Sequence, residues 1–496
     1  MLYIYTPVVT PRIRYITGLI FRDHLRFPYR LTPDLEAWTR ADGAKINYSP
    51  DIYPGALRIP PSGILDEAFT AGLDEVSAPA GDPMEGVEAW LRAGGVPGAL
   101  GKAAHSVETS IAEEARSATA GGADSTWGAP DSWPFDLFGA AFYLLSRYEE
   151  YLPGAIFDPM GRFDPAGSWA YRHGCLERPL LDEWFQALGA RLQSQGQIPG
   201  QAETPRQAPR QSSGMPSAQG MAPGFTFCPT YDIDIPWCYR HKGRLRTLGG
   251  IARDLLKGRW ARLSERRKVL TGRLPDPFEN YAWMDQANLD QPWQPTYFFP
   301  VASRRGPYDK NPSPDKGVYK ELIRRHDALY PVGIHPSFLS TTEPGMLQEE
   351  LQTLASILDR PVNLNRFHYI RFRLPRDYRL LLEYGITMDY SMGYGEVNGF
   401  RASYSRPFRW YDLAWEEETT LTVVPYCYME ASANQRWRNR REDVRAEMDY
   451  YLRTLRAVNG QMTVIWHNNT LGREPHWTDW RDLYGELLQK VKIAAP

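Results

Sequence analysis

The second half of the chain alternates short apolar runs with amphipathic helical segments, and that alternation most restricts what it can fold into. The runs fall at 225–231, 296–299, 331–335, 362–367, 386–390, 421–427 and 463–466. Each is short and rich in β-branched and aromatic residues, as buried strands are. The stretches between them carry helical periodicity. In 442–458, Val444, Met448, Tyr451, Leu452, Leu455 and Val458 fall on one face, and Gly460 follows as a stop. Seven strands alternating with helices predict a parallel α/β sheet or barrel, in which chemistry gathers at the C-terminal strand ends.

At 496 residues the chain exceeds one ordinary domain. Residues 1–194 read as a smaller α/β domain. Strands are expected at 2–5, near Ile46 and at 57–59, with helical stretches at 13–21 and 135–151. The stretch 195–224 is rich in Gln, Pro, Ser, Gly and Ala and too poor in large apolar side chains to offset the entropy of ordering. It reads as a disordered linker, with 76–130 as a partly disordered insertion before it and 225–496 as a second domain. A formal net charge of −2 gives no global attraction to nucleic acid or anionic membrane. Cys175, Cys228, Cys238 and Cys427 show no paired spacing and read as free thiols of a reducing compartment. No signal-peptide pattern or apolar span is read, so a cytoplasmic location is expected.

Polar groups recur where the strands end. The first run closes in TYDID, and Asp232 and Asp234, two apart on an extended strand, share a face. Two carboxylates on one face repel unless a proton or cation separates them, which suits one metal ligand beside one general base. A pair of turn aspartates is the bland alternative. His335 ends the third run in GIHPS, Arg366 and His368 follow the fourth in NRFHYIRF, Asp389 ends the fifth in TMDYS, and His467 ends the seventh in IWHNN. Each alone reads as readily as a satisfied core or loop group. The recurrence at one end of successive strands points to a catalytic centre.

Taken in order, these segments resemble the motifs of the polysaccharide deacetylases, carbohydrate esterase family 4. TYDID resembles the first motif, PTYFFP the strand after it, PVGIHPS the approach to the second, RFHY the third, TMDYS the fourth and VIWHN the fifth. HPSFLS, DYSMGYGEVNGFR and the first domain resemble a divergent bacterial branch of that superfamily. The resemblance implies a distorted seven-stranded (β/α) barrel. It also implies a metal-dependent hydrolase that removes an acyl group, acetyl first, from a carbohydrate or glycan precursor. By position, Asp232 would be the general base, Asp234 and His335 metal ligands, Arg366 the residue orienting the base, His467 the general acid and Asp389 its tuning partner. Tyr369 and Tyr390, within the third and fourth motifs, would face substrate. The implied cofactor is a divalent metal, zinc first, with cobalt, nickel or manganese as alternatives.

The sequence departs from the family at two places. A second histidine is expected four residues after His335, but Leu339 stands there and Ser340 follows. The third motif carries His368 where the family has proline. His368 is therefore expected to supply the missing imidazole. The competing expectations are a silent glycan-binding protein that lost its metal, and hydrolysis of a non-sugar C–N bond. Separately, 240–273 holds twelve Lys and Arg against two acidic residues, with Trp260 and leucines interleaved. It reads as a solvated helical face, or as a patch for an anionic membrane or polyanion.

Overall fold

The computed structural model describes residues 1–66, 82–92, 131–195, 224–438, 440–472 and 477–493. Of the two segments read as disordered, 195–224 lies almost wholly outside the described residues, and 76–130 largely so. Within the latter, Glu85–Arg92 is a helix.

Two sheets organise the chain. The first contains β1 (Leu2–Tyr5), β2 (Tyr29–Thr32), β3 (Ala44–Asn47) and β4 (Leu57–Arg58), all parallel, in the order β2-β1-β3-β4. Leu2, Ile4, Ile46 and Leu57 carry its fully buried face. The helix Leu137–Leu145 is apolar almost all round and buried to match. Asp136 caps its N-terminus, accepting from Gly139 N at 2.8 Å.

The second sheet has nine strands: β5 (Thr226–Asp232), β6 (Thr296–Phe299), β7 (Val332–Ile334), β8 (Leu364–Asn365), β9 (Met388–Asp389), β10 (Phe408–Asp412), β11 (Glu417–Val423), β12 (Tyr428–Met429) and β13 (Gln461–His467). Their order is β10-β11-β9-β8-β7-β6-β5-β13-β12, parallel throughout except for the β10–β11 hairpin. All seven anticipated runs contain or overlap a strand. The hairpin strand β10 and the two-residue β12 are additions.

A closed barrel is not formed: the ladder has two ends among the described residues. The physical reason lies in 424–427. Val424 N still bonds Asp389 O on the β9 side, whereas Cys427 N bonds Thr463 O on the β13 side. The chain thus passes from the β9 side to the β13 side through an irregular link.

Register aligns the C-terminal strand ends. His467 pairs directly with Asp232, Asp232 with Phe298, Phe299 with Ile334, Ile334 with Asn365, and Asn365 with Asp389. Polar residues at or just past those positions therefore converge on one rim.

The two sheets share a continuous apolar core that runs from Leu2 to Leu488. Tyr15 from the first half meets Tyr411 from the second, with ring centroids 4.9 Å apart. All four cysteines are free, and no helix among the described residues is long and apolar enough to cross a membrane.

Candidate metal centre

The centre is assembled from the rim of the second sheet. Asp232 ends β5, and Asp234 follows in the loop. His335 lies one residue past β7, His368 three past β8, and His467 ends β13.

Asp234, His335 and His368 each offer a ligand atom, and these atoms lie within 4.8 Å of one another. His335 Nε2 stands 3.2 Å from Asp234 Oδ1, and His368 Nε2 stands 3.5 Å from Asp234 Oδ2. The other nitrogen of each ring is tied down. His335 Nδ1 lies 2.6 Å from the Arg366 carbonyl oxygen, and His368 Nδ1 lies 3.2 Å from Asp309 Oδ1. An acceptor at Nδ1 places the proton there and leaves the Nε2 lone pair facing Asp234. Two lone pairs and a carboxylate pointing at one another repel unless a cation lies among them. Asp234 Oδ1 is buried and has no hydrogen-bond partner, despite its closeness to His335. One carboxylate and two imidazoles, with positions left for water, fit a divalent cation of the zinc type.

The charges carry the same message. Burial alone would lower the His368 pKa, but Asp234 and Asp309 push it up to about 9. Burial would raise Asp234, yet His368, His335 and His467 hold it well below the usual carboxylate range. Asp234 thus keeps its negative charge, and His368 holds a proton that a bound cation would displace.

Asp232 stands beside this set. Its Oδ1 accepts from Arg366 Nη1 at 2.9 Å, and its Oδ2 lies 3.8 Å from His335 Nε2. Arg366 is fully buried. It donates from Nη1 to Thr230 Oγ1 at 2.7 Å and from Nε to the Tyr390 carbonyl at 3.0 Å, and its guanidinium carbon lies 4.5 Å from the centre of the Phe298 ring. These contacts fix the guanidinium and hence the orientation of Asp232.

On the neighbouring strand, His467 Nε2 is 3.7 Å from Asp234 Oδ2 and 4.0 Å from Asp232 Oδ2. Its Nδ1 lies 2.6 Å from Glu430 Oε1, which also accepts from His467 N and Thr470 Oγ1. Burial opposes protonation of His467, but Glu430, Asp234 and Asp232 carry its pKa up to about 10.

Two expectations are corrected here. Asp389 is not the partner of His467; Glu430 occupies that place. Asp389 is fully buried and accepts from Asn365 Nδ2, Tyr378 Oη, Ser391 N and Ser391 Oγ, so it braces the β8–β9 rim. Tyr390 is 1% exposed and packs on Phe298, so its ring cannot face substrate. Tyr369 is 38% exposed beside His368, with ring centroids 4.4 Å apart. Its φ of 58°, followed by 57° at Ile370, puts two non-glycine residues in the left-handed region next to a candidate ligand. Ser340 is unfit as a ligand, since its Oγ donates to the Ser337 carbonyl at 2.6 Å.

Asp309 and Glu430 escaped the sequence reading. Glu430 follows β12 directly and obeys the strand-end rule that exposed the others. Asp309 sits in an aperiodic loop after β6 and left no comparable signal.

A family of unknown function, DUF7033, matches residues 2–197. No curated protein matches the chain. Among solved structures, a Mycobacterium smegmatis protein assigned to the polysaccharide deacetylases is 14% identical, with a TM-score of 0.33 over 54% of this chain and 84% of that one. The polysaccharide deacetylase Bc1974 from Bacillus cereus is 13% identical, with a TM-score of 0.26 over 53% and 87%. Puue allantoinase is 11% identical, with a TM-score of 0.31 over 59% and 92%. With likenesses this distant, the functional reading rests on the geometry of the site.

Proposed function

We propose that this centre is a metal-dependent hydrolase removing an acyl group, acetyl first, from a carbohydrate or glycan precursor. The observation that carries the reading is the pair of imidazoles, each anchored at Nδ1 and turned by Nε2 onto Asp234. A buried arginine-held carboxylate, Asp232, and a carboxylate-held histidine, His467, stand next to them on adjacent strands. Asp234, His335 and His368 would hold the cation, which supplies Lewis acidity and a lowered pKa for water at the site. Asp232, oriented by Arg366, accepts the proton of the attacking water. His467, kept protonated at neutral pH by Glu430, donates a proton to the departing nitrogen or oxygen. Dividing base and acid between a carboxylate and an imidazole held by different partners, Arg366 and Glu430, lets each hold its working protonation state at once. Tyr369, at the exposed rim, is positioned to stack on a sugar ring.

The test couples metal content with acetate release. Purified protein should hold about one divalent metal per chain, zinc before cobalt, nickel or manganese. His368→Ala and Asp234→Ala should lose it together with acetate release from a panel of N- and O-acetylated sugars. Full metal content in both variants would sink the proposal. So would acetate release that survives in Asp234→Ala.

A further inference from the structure

A second feature adjoins the metal centre and is not used by the reaction. The loop 235–243, leading into the helix Arg244–Leu256, leaves Asp234, and the loop 305–316 carries Asp309. Between them lies a cavity of about 340 Å³. Its first wall presents Arg240, Lys242, Arg244 and Arg246, and its second presents Arg305, Lys310 and Lys316. Among the described residues no carboxylate lines it. Ile235, Pro236 and Trp237 add an apolar stretch that begins one residue after a candidate metal ligand.

Two carboxylates, Glu279 and the buried Asp276, stand near the first wall and are outnumbered by the seven lining cations. Arg240 pairs with Glu279 at 3.0 Å across a half-exposed contact. Arg305 donates to the Asn311 carbonyl at 3.1 Å, Lys316 to that of His241, and Lys310 to that of Pro307. Carbonyls position a cation without cancelling its charge. Burial, and then Arg246, lower the Arg305 pKa; burial and then Arg240 lower that of His241, with Lys316 adding to them and Glu279 and Asp276 opposing. Like charges are thus crowded into a concave site, at a standing cost that a bound anion would relieve. A lone carboxylate is a poor match for so many cations, whereas a phosphoryl group offers several charged oxygens to guanidinium forks.

We infer that this cavity binds a phosphate or diphosphate group of an anionic substrate, holding the adjoining acyl-bearing portion at the metal centre. The word substrate rests on the hydrolase reading; the anion site itself does not. Two sources share this chemistry. One is a water-soluble phosphorylated sugar. The other is a glycan carried on a lipid phosphate, for which Leu245 is exposed at the cavity and Leu248, Leu256 and Trp260 are exposed further along the helices Arg244–Leu256 and Trp260–Leu270.

The experiment is calorimetric titration of the full chain with sodium pyrophosphate. Three variants are compared: Arg244→Ala with Arg246→Ala, Arg305→Ala alone, and Asp234→Asn. Binding should weaken about tenfold or more in the first, and measurably in the second. It should persist in Asp234→Asn, which separates the cavity from the metal position. It should also weaken as salt rises. A second arm measures co-sedimentation with phosphatidylcholine vesicles containing phosphatidic acid. Sedimentation that pyrophosphate displaces assigns the lipid-carried source; pyrophosphate binding without sedimentation assigns the soluble one. No binding by the unaltered protein, equal binding by the double variant, or loss of binding in Asp234→Asn would overturn the inference. Because binding is read without turnover, its failure is distinct from failure of the hydrolase reading.

Discussion

Asp309 and Glu430 do the same work for two different imidazoles. Each accepts from an Nδ1 and so sets which way the ring faces and which nitrogen is free. Replacing Asp309 by Asn keeps the size but removes the charge behind His368. Zinc affinity should then fall about 10–100-fold, measured by competition against a chelator. An unchanged affinity would mean that packing alone holds the ring. For Glu430 the sign is set by its charge. The His467 pKa is raised from 6.5 to about 10, so its protonated form persists at neutral pH and is lost as pH rises through about 10. The stabilisation from this pair is likewise full below about 6.5 and lost across the same window. In Glu430→Gln the alkaline limb of the pH–rate profile should move to lower pH, because the nearest anion favouring the imidazolium has gone. A limb that stays in place would remove His467 as the general acid.

At the scale of elements, the strand that delivers His335 depends on an absent side chain. A Cβ at Gly333 would lie 2.7 Å from Phe298 Cε1 and 2.8 Å from both Leu364 Cβ and the Leu364 carbonyl oxygen. Two of those atoms belong to β8, which leads to Arg366 and His368, so the overlap cannot be relieved without moving both strands. Gly333→Ala should cost about 1–3 kcal/mol, seen in denaturant unfolding, and should weaken metal binding as well. Stability lost with metal affinity intact would show that the rim absorbs the displacement. The elements also decide what a reader of sequence could see. Asp232, His335 and His467 close apolar runs long enough to leave a pattern, and the period of two put Asp234 on the face of Asp232. Glu430 follows a two-residue strand that directly continues the run 421–427, so it left no separate apolar run of its own. Asp309 is fixed by contacts to Phe338 N and Gly306 N in a loop without periodicity. Asp389 had the right place in the order of motifs, but only tertiary packing reveals that Tyr378, Asn365 and Ser391 take up its oxygens. The break between β11 and β12 is equally invisible, because 421–427 reads as one unbroken apolar run.

At the scale of the molecule, the two sheets are tied by a buried charge cluster. Glu150, from the first half, accepts from Arg401 Nη2 at 2.5 Å and Arg401 Nε at 2.8 Å, and from Arg147 Nε at 2.8 Å. Burial would raise the Glu150 pKa, but the two guanidiniums hold it below its ordinary value. Arg401 lies 4.4 Å from the centre of the Phe372 ring and donates to the Gly393 carbonyl, in the segment that follows β9. Substituting Glu150 by Ala leaves two buried cations with less than their compensating charge, a loss of about 3–5 kcal/mol. The apolar core is continuous from Leu2 to Leu488, so that loss cannot be confined to the first half. Calorimetry of Glu150→Ala should show one cooperative transition at a lower Tm, with near-ultraviolet circular dichroism from both halves disappearing together. Two separated transitions, with only the first displaced, would mean that residues 1–195 unfold as an independent unit and that the second sheet keeps its rim without them.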